Sequence, residues 1–236
     1  MDIDHSRPHR GQSVHKTIKQ QFKLFKRVFT EIIKTLQKTT DVMAQWNDDA
    51  EVIQGDSVKV LNTLPAGTAD LVLTSPPYVN AIDYPRAHKF SEWWLTPKIQ
   101  LCIRDNYIGL RSARHENLFQ TAQQLAPASM KTLDWFKRKA PSKYHLVCKY
   151  VVDMTKIIVG CKRVLCKSGK IVFVLADNKI AGRTVPVVNI VKELLITNGF
   201  KRVKSVRRRI INHRRRYPFG FNGVMKSEAI ISASKI

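Results

Sequence analysis

The stretch LVLTSPPY, residues 71–78, is the part of the sequence that decides the predicted fold. An apolar run of strand-forming residues ends abruptly at Thr74, and Ser75, two prolines and Tyr78 follow it. The run is apolar on both faces, which is typical of a central strand in a parallel sheet. We therefore predict a strand from Asp70 to Thr74. We also predict a rigid loop at its carboxyl end, because proline fixes φ and holds the preceding residue extended.

Strands and helices alternate along the chain on both sides of this stretch. Besides the strand that ends at Thr74, the patterns predict strands over residues 51–54, 171–177, 201–211 and 228–234. A turn at Gly55-Asp56 with Ser57 as a helix N-cap follows the first of them. Two longer helices are predicted, one from about His145 to Cys161 and one over residues 183–200, the latter bounded by Pro186 and Gly199. This alternation predicts the α/β class.

The N-terminal part has the pattern of a basic amphipathic helix from His15 to about Thr40. Apolar residues recur at steps of three and four, on one face of a helix: Ile18, Phe22, Phe25, Phe29, Ile32 and Leu36. Basic residues cover much of the remaining surface: Lys16, Lys19, Lys23, Lys26 and Arg27. We expect the apolar face to pack on the body, with direct DNA contact as the alternative. The predicted domains are a helical lead-in over residues 1–46 and an α/β domain over residues 47–236.

Charge is the most unusual property of the composition. The chain has 41 Lys and Arg against 18 Asp and Glu, a formal net charge of +23. Such an excess favours a polyanionic partner, with nucleic acid first and an anionic membrane surface second. Six arginines lie in one short run without an acid among them, a pattern that predicts phosphate contacts of double-stranded DNA: Arg207, Arg208, Arg209, Arg214, Arg215 and Arg216.

Cysteine spacing and hydropathy argue against other classes of protein. The four cysteines form no metal-binding spacing, so we expect reduced, mostly buried thiols in a cytoplasmic protein and no metal site. No apolar run reaches the ~20 residues that a membrane span requires. The N-terminus also lacks the apolar core of an export signal.

The loop after the predicted strand has the groups needed to hold an amino group. A serine hydroxyl and a carbonyl fixed by proline can each accept a hydrogen bond from it, and a tyrosine ring offers a flat face for stacking. Residues 50–236 resemble the amino-methyltransferases that modify DNA at cytosine N4 or adenine N6, whose signature is a small polar residue, two prolines and an aromatic. The segments VIQGD (52–56), YIGLRS (107–112), 169–200 and INHRRRYP (211–218) are similar to further segments of that family.

The resemblance implies an incomplete Rossmann-like fold that uses S-adenosylmethionine as cofactor, preceded by the basic helix. It implies that Ser75 and the Pro76 carbonyl bind the amino hydrogens of an extruded base, with Pro77 stiffening the loop and Tyr78 stacking on the ring. It also implies cofactor contacts from Asp56 and Thr74. Serine at the first position favours cytosine N4 over adenine N6. On the residues alone, Tyr78 is either this stacking ring or a core aromatic, Asp56 either a ligand or a helix cap, and Asp177 either a cleft residue or a cap.

The family's Gly-rich cofactor loop and the two strands around it have no counterpart in this sequence. The resemblance therefore implies a truncated enzyme, one part of a split enzyme whose partner chain supplies the loop, or a non-catalytic DNA-binding remnant. RNA or protein methylation is a further class of function, in which the same kind of pocket would hold the amino group. Without the missing strands, either the strand at 51–54 pairs directly with the strand before Ser75, or an apolar edge is left bare. A bare edge predicts instability or a homodimer. Residues 96–145 match no core element and are our candidate for target recognition.

Overall fold

The structure is a computed structural model that describes residues 17–43, 50–79, 107–109, 117–210 and 227–236. The chain divides into two compact units, and the described residues up to Gln54 belong to the first and those from Gly55 onward to the second. Helix α1, Ile18–Met43, forms most of the described part of the first unit. The predicted helix is thus confirmed. The packing of its apolar face on the body stays a prediction.

The second unit contains the α/β architecture. Its helices are α2 (Ser57–Thr63), α3 (Leu118–Leu125), α4 (Pro127–Lys131), α5 (Asp134–Lys139), α6 (Pro141–Val164) and α7 (Val187–Thr197). Its strands are β1 (Ala69–Thr74), β2 (Leu165–Leu175), β3 (Asn178–Ile180), β4 (Arg183–Val185), β5 (Lys201–Arg209) and β6 (Ser227–Ser234). The α/β class is confirmed. None of the described helices is long and apolar enough to cross a membrane.

Four strands form one mixed sheet in the order β1-β2-β6-β5. β1 pairs in parallel with β2, whereas β6 is antiparallel to both β2 and β5. Buried residues alternate along β2 and β6, and α6 and α7 pack against these strands. One face of the sheet therefore builds the core. The antiparallel pair β3-β4 was not predicted, because its two strands have only three residues each.

The predicted strand over residues 51–54 and the predicted cap at Ser57 were both wrong. Residues 51–54 form no strand and are exposed, with Val52 94% exposed. A strand needs a neighbour to satisfy its backbone groups, and no described strand pairs with this segment. β1 pairs only with β2 among the described residues, so it lies at an edge of the sheet and not at its centre. The N-cap of α2 is Asp56, whose carboxylate accepts from the Lys59 amide.

Residues 117–140 belong to the core, although their sequence has no clean period. They form three short helices of eight, five and six residues, too short for a helical period to be recognised. Proline starts both α4 and α6, which breaks the segment into pieces. The apolar residues that these helices bury are Leu118, Ala122, Met130 and Phe136, and Leu133 between α4 and α5 is buried with them. Residues 96–145 thus include core elements, and their role in target recognition stays a prediction.

Candidate functional site: the loop after the first strand

The Ser-Pro-Pro-Tyr loop follows the carboxyl end of β1, where β1 pairs in parallel with β2. Ser75 is exposed, Pro76 is buried, and Pro77 and Tyr78 are half-buried. The next residue, Val79, is 0% exposed. The loop therefore has one end in solvent and the other anchored in the protein. The carboxyl ends of parallel strands are where open α/β sheets bind ligands.

Tyr78 connects the loop to the opposite part of the sheet. Its hydroxyl donates to Glu228 Oε1 of β6 at 3.4 Å, and its ring packs partly against the core. Glu228 Oε2 accepts from the Arg208 guanidinium at 2.8 and 3.1 Å. Loop and basic strand β5 are thus joined through one carboxylate. A half-buried ring fits either reading of Tyr78, the stacking residue or the core aromatic.

The backbone after Tyr78 is held by groups that sequence reasoning missed. The Asn178 side-chain amide donates to the Val79 carbonyl. Gly109 is buried with φ of +80°, and a Cβ on it would lie 3.2 Å from both the Tyr78 oxygen and the Val79 Cα. The turn that contains Gly109 is itself held by Lys149, whose Nζ donates to the Tyr107 carbonyl. The sequence signals for these contacts are an asparagine just after a buried strand and a lysine within an apolar helix.

The two predicted cofactor residues lie at different elements. Asp56 Oδ1 accepts from the Lys59 amide at 3.0 Å, and Asp56 is exposed. This confirms the cap, and the cofactor contact stays a prediction. Thr74 is exposed at the end of β1, directly before Ser75. No described hydrogen bond joins Asp56 to the loop. Helix α2 is held on α6, because the Arg163 guanidinium donates to the Leu61 and Leu64 carbonyls.

Asp177 was predicted either to line the cleft or to cap the turn that follows it, and the structure instead joins it to the start of α7, eleven residues later. Its place in the cleft stays a prediction. Its Oδ1 accepts from the Val188 amide in the first turn of α7 at 3.0 Å. Its Oδ2 forms an ion pair with Arg207 at 3.0 Å. Asp177 thereby fixes the start of α7 and one arginine of the basic strand together.

Three of the six arginines of the predicted DNA-binding run lie on β5. Arg207, Arg208 and Arg209 are exposed, and the first two pair with Asp177 and Glu228. The run itself contains no acid, but neighbouring elements supply these two. Arg209 forms no ion pair with any residue that the structure describes. Arg214, Arg215 and Arg216 lie outside the described residues.

Each cysteine thiol that the structure describes has a raised pKa. Cys148 and Cys161 are buried, and burial raises their pKa values to about 12 and about 11. Cys166 is half-buried, and its hydrogen bond to Asp70 raises its pKa. Cys102 lies outside the described residues. Within the described part of the chain, no cluster of three or more His, Cys, Asp or Glu residues could hold a metal ion.

Comparison with known proteins gives matches only among solved structures. No family model matches the chain, and no curated protein matches it. Three solved structures to which the chain is similar are of a proposed DNA modification methylase from Thermus thermophilus. They are a selenomethionine derivative, a second structure and a complex with S-adenosyl-L-methionine, with sequence identities of 16%, 15% and 15% and TM-scores of 0.39, 0.39 and 0.40. Each match covers 77% of this chain and between 50% and 52% of the other, so the chain spans about half the length of these proteins.

Proposed function

We propose that the chain is the base-binding part of a site-specific DNA methyltransferase that acts on the exocyclic N4 amine of cytosine. The observation that carries the proposal is the Ser-Pro-Pro-Tyr loop at the carboxyl end of β1. There Ser75 is exposed while Pro76 is buried. This leaves an exposed hydroxyl beside a buried backbone segment. The serine at the first position supports cytosine over adenine.

The loop residues perform three tasks on an extruded cytosine. The Ser75 hydroxyl and the Pro76 carbonyl accept hydrogen bonds from the two amino hydrogens. Held in this way, the nitrogen loses conjugation with its ring and becomes more nucleophilic. Tyr78 stacks on the ring and keeps the base out of the duplex. Catalysis then rests on positioning and charge placement, without a covalent enzyme intermediate, which agrees with the raised thiol pKa values.

S-adenosylmethionine supplies the methyl group as an electrophile on a positively charged sulfur. Asp56 and Thr74 are the residues that would hold it, and both are exposed. The cap of α2 uses Oδ1 of Asp56, which leaves the second carboxylate oxygen for the adenine end of the cofactor. A separate chain with a Gly-rich loop would complete the site.

Double-stranded DNA is the proposed partner of the basic strand. Phosphates of the backbone fit the exposed arginines of β5, and the formal net charge of +23 supports electrostatic attraction of DNA. Glu228 bonds both Arg208 and Tyr78, so phosphate binding and base binding would occur on neighbouring groups.

A non-catalytic DNA-binding protein is the second candidate. The sequence has a basic strand for DNA, but we find in it no strand that ends in the Gly-rich turn of the family's cofactor loop. This combination favours DNA binding without catalysis. An adenine-N6 methyltransferase would use the same loop on the other amino base.

Nucleoside analysis of methylated DNA tests the proposal. Genomic DNA from a methylation-deficient bacterium contains every short recognition sequence. It is incubated with the chain, with isotope-labelled S-adenosylmethionine and, in a second arm, with a protein that supplies the Gly-rich loop. We expect labelled N4-methylcytosine. Ser75→Ala and Tyr78→Ala should lower its formation at least about 100-fold, as expected when a group that stabilises the transition state is removed. DNA affinity should be nearly unchanged.

Each result separates the candidates. Ser205→Ala, on exposed strand β5, is the matched control and should keep full activity. Labelled N6-methyladenine would support the adenine enzyme. Salt-dependent DNA binding without label in either arm would support the non-catalytic protein. Full turnover by Ser75→Ala would contradict the assigned roles.

A further inference from the structure

The backbone of Tyr78 and Val79 is held by two side chains from distant parts of the sequence. We propose that Asn178 and Lys149 are positioning residues for the Ser-Pro-Pro-Tyr loop. Asn178 fixes the Val79 carbonyl directly, and Lys149 fixes the turn at residues 107–109 that packs on the same backbone. This inference rests on the proposed function, because it assigns the loop's geometry to methyl transfer.

Asn178 lies three residues after the end of β2 and begins strand β3. β1 ends at Thr74, so its ladder with β2 no longer supplies a partner for the carbonyl of Val79. Val79 is 0% exposed. A buried carbonyl without a donor would cost about 1–3 kcal/mol. The hydrogen bond from the Asn178 amide removes this cost. It also fixes the position of the Val79 carbonyl, and with it the path of the loop after β1.

The turn at residues 107–109 forms the second contact. Gly109 has a positive φ, which a residue with a side chain rarely adopts. Because a Cβ at this position would come within 3.2 Å of the Tyr78 oxygen and the Val79 Cα, the turn lies directly against the loop backbone. Any movement of this turn would therefore be transmitted to Tyr78.

Lys149 of α6 anchors that turn. Its Nζ donates to the Tyr107 carbonyl at 3.2 Å and forms an ion pair with Asp153. The Lys149 side chain is only 7% exposed and that of Asp153 only 16%. Buried ion pairs add little to stability compared with apolar residues of similar size. The Lys149–Asp153 pair is explained instead by the Tyr107 carbonyl, which Lys149 holds in place.

Small displacements matter at such a loop. A functional group must lie within about 0.5 Å of its productive position. A displacement of about 1 Å can cost about 100-fold in rate. Neither Asn178 nor Lys149 is among the groups that we assign to base or phosphate. Their loss should therefore lower kcat and leave the KM for DNA almost unchanged.

The chain offers matched controls for both residues. Asn198 also donates through Nδ2 to a backbone carbonyl, that of Leu194 at 2.7 Å. Lys162 also donates through Nζ to a backbone carbonyl, that of Asn198 at 2.7 Å. These two bonds join α6, α7 and the turn after α7. The variants Asn198→Ala and Lys162→Met thus remove the same kind of bond without touching the loop.

The first experiment compares kinetic parameters in the methylation assay. We expect Asn178→Ala and the double variant Lys149→Met/Asp153→Asn to lower kcat about 10- to 100-fold, with KM for DNA within about threefold. The double variant removes both charges of the pair, and Lys156, the second partner of Asp153 at 3.7 Å, is then left as an exposed cation. Asn178→Asp should be at least as severe as Asn178→Ala, because a carboxylate cannot donate to the Val79 carbonyl. The controls should keep kcat within about twofold. Equal kcat losses in control and test variants would overturn the proposal.

The second experiment needs no activity. Hydrogen–deuterium exchange is followed in peptides that cover residues 71–79. We expect faster exchange at the amides of Ser75, Tyr78 and Val79 in Asn178→Ala, and unchanged exchange there in Asn198→Ala. If the wild-type chain transfers no methyl group, the proposed function fails while this exchange still decides whether Asn178 holds the loop. Unchanged loop exchange in Asn178→Ala would refute the positioning role.

Discussion

The two edges of the four-stranded sheet differ sharply in chemistry. At one edge, β5 carries six basic residues among nine. At the other edge, β1 has the sequence ADLVLT, with Leu71 53% and Leu73 66% exposed. Both strands have a free side among the described residues. Charge protects the β5 edge from pairing with another strand, and no residue that the structure describes protects the β1 edge in the same way.

A single pair of residues makes this comparison quantitative. Val206 on β5 is 68% exposed, nearly the same as Leu73 on β1. Val206 has Arg207 and Arg208 after it, so another strand that approached would meet concentrated positive charge. Leu73 has Val72 before it and Thr74 after it. The β5 edge is therefore suited to phosphate, and the β1 edge to another strand or to a second chain.

The largest expected effect is on self-association through the β1 edge. We expect the lone chain to dimerise, and Leu73→Lys to raise the dissociation constant of the dimer about 100-fold. The reason is that burial of a leucine side chain contributes about 1.5–3 kcal/mol and a lysine would be desolvated in its place. Sedimentation velocity across a concentration series measures this constant.

Val206→Lys is the control for this prediction, since it adds the same charge at the same exposure on the opposite edge. It should leave the association unchanged. Equal effects of the two variants would show that net charge, and not the β1 edge, controls association. A wild-type chain that stays monomeric throughout the series would contradict the prediction altogether.

The next effect in size concerns the β5 edge and DNA. Arg209→Gln should lower DNA affinity about tenfold at about 0.1 M salt and reduce the slope of log K against log salt by about 0.9, as for one lost phosphate contact. Arg207→Gln and Arg208→Gln should have smaller effects, because these side chains already pair with Asp177 and Glu228. Fluorescence anisotropy with duplex DNA over a range of salt concentrations measures both quantities.

Arg138→Gln is the matched control on DNA binding. Its side chain is 71% exposed and pairs with Asp134 at 2.9 Å, on helix α5, which packs on α6. This variant should bind like the wild type. If Arg209→Gln has the same salt slope as the wild type, the β5 edge does not contact phosphate.

Features with local causes could be predicted from the sequence. The alternation of polar and apolar residues identified β5, and Pro186 and Gly199 marked the limits of α7. The strand before Ser75 was predicted to within one residue, because its boundary depends on the Thr-Ser-Pro-Pro turn. In each of these elements, the signal lies within a few residues of the structure that it specifies.

Features that depend on a distant neighbour could not be predicted. Residues 51–54 have a strand-like sequence, but a strand forms only where another strand pairs with it. Asn178 and Val79 are 99 positions apart, and Lys149 and Tyr107 are 42 apart. No local sequence pattern predicts hydrogen bonds between residues so far apart in the chain. The proposed base-binding tetrapeptide was therefore visible in the sequence, while the residues that hold it were not.

The smallest expected effect separates structure from function at Asp56, which caps the helix that precedes β1. Asp56→Ala should cost about 1 kcal/mol in the free energy of unfolding, measured by urea denaturation, because the Lys59 amide loses its acceptor. Asp56→Asn should cost at most a few tenths, since asparagine caps equally well. If Asp56 also contacts S-adenosylmethionine through its charge, both variants should weaken binding in calorimetry. If Asp56→Asn keeps the wild-type affinity for S-adenosylmethionine, Asp56 is a helix cap and not a cofactor ligand. The contact that we assign to Asp56 would then come from another residue or from a partner chain.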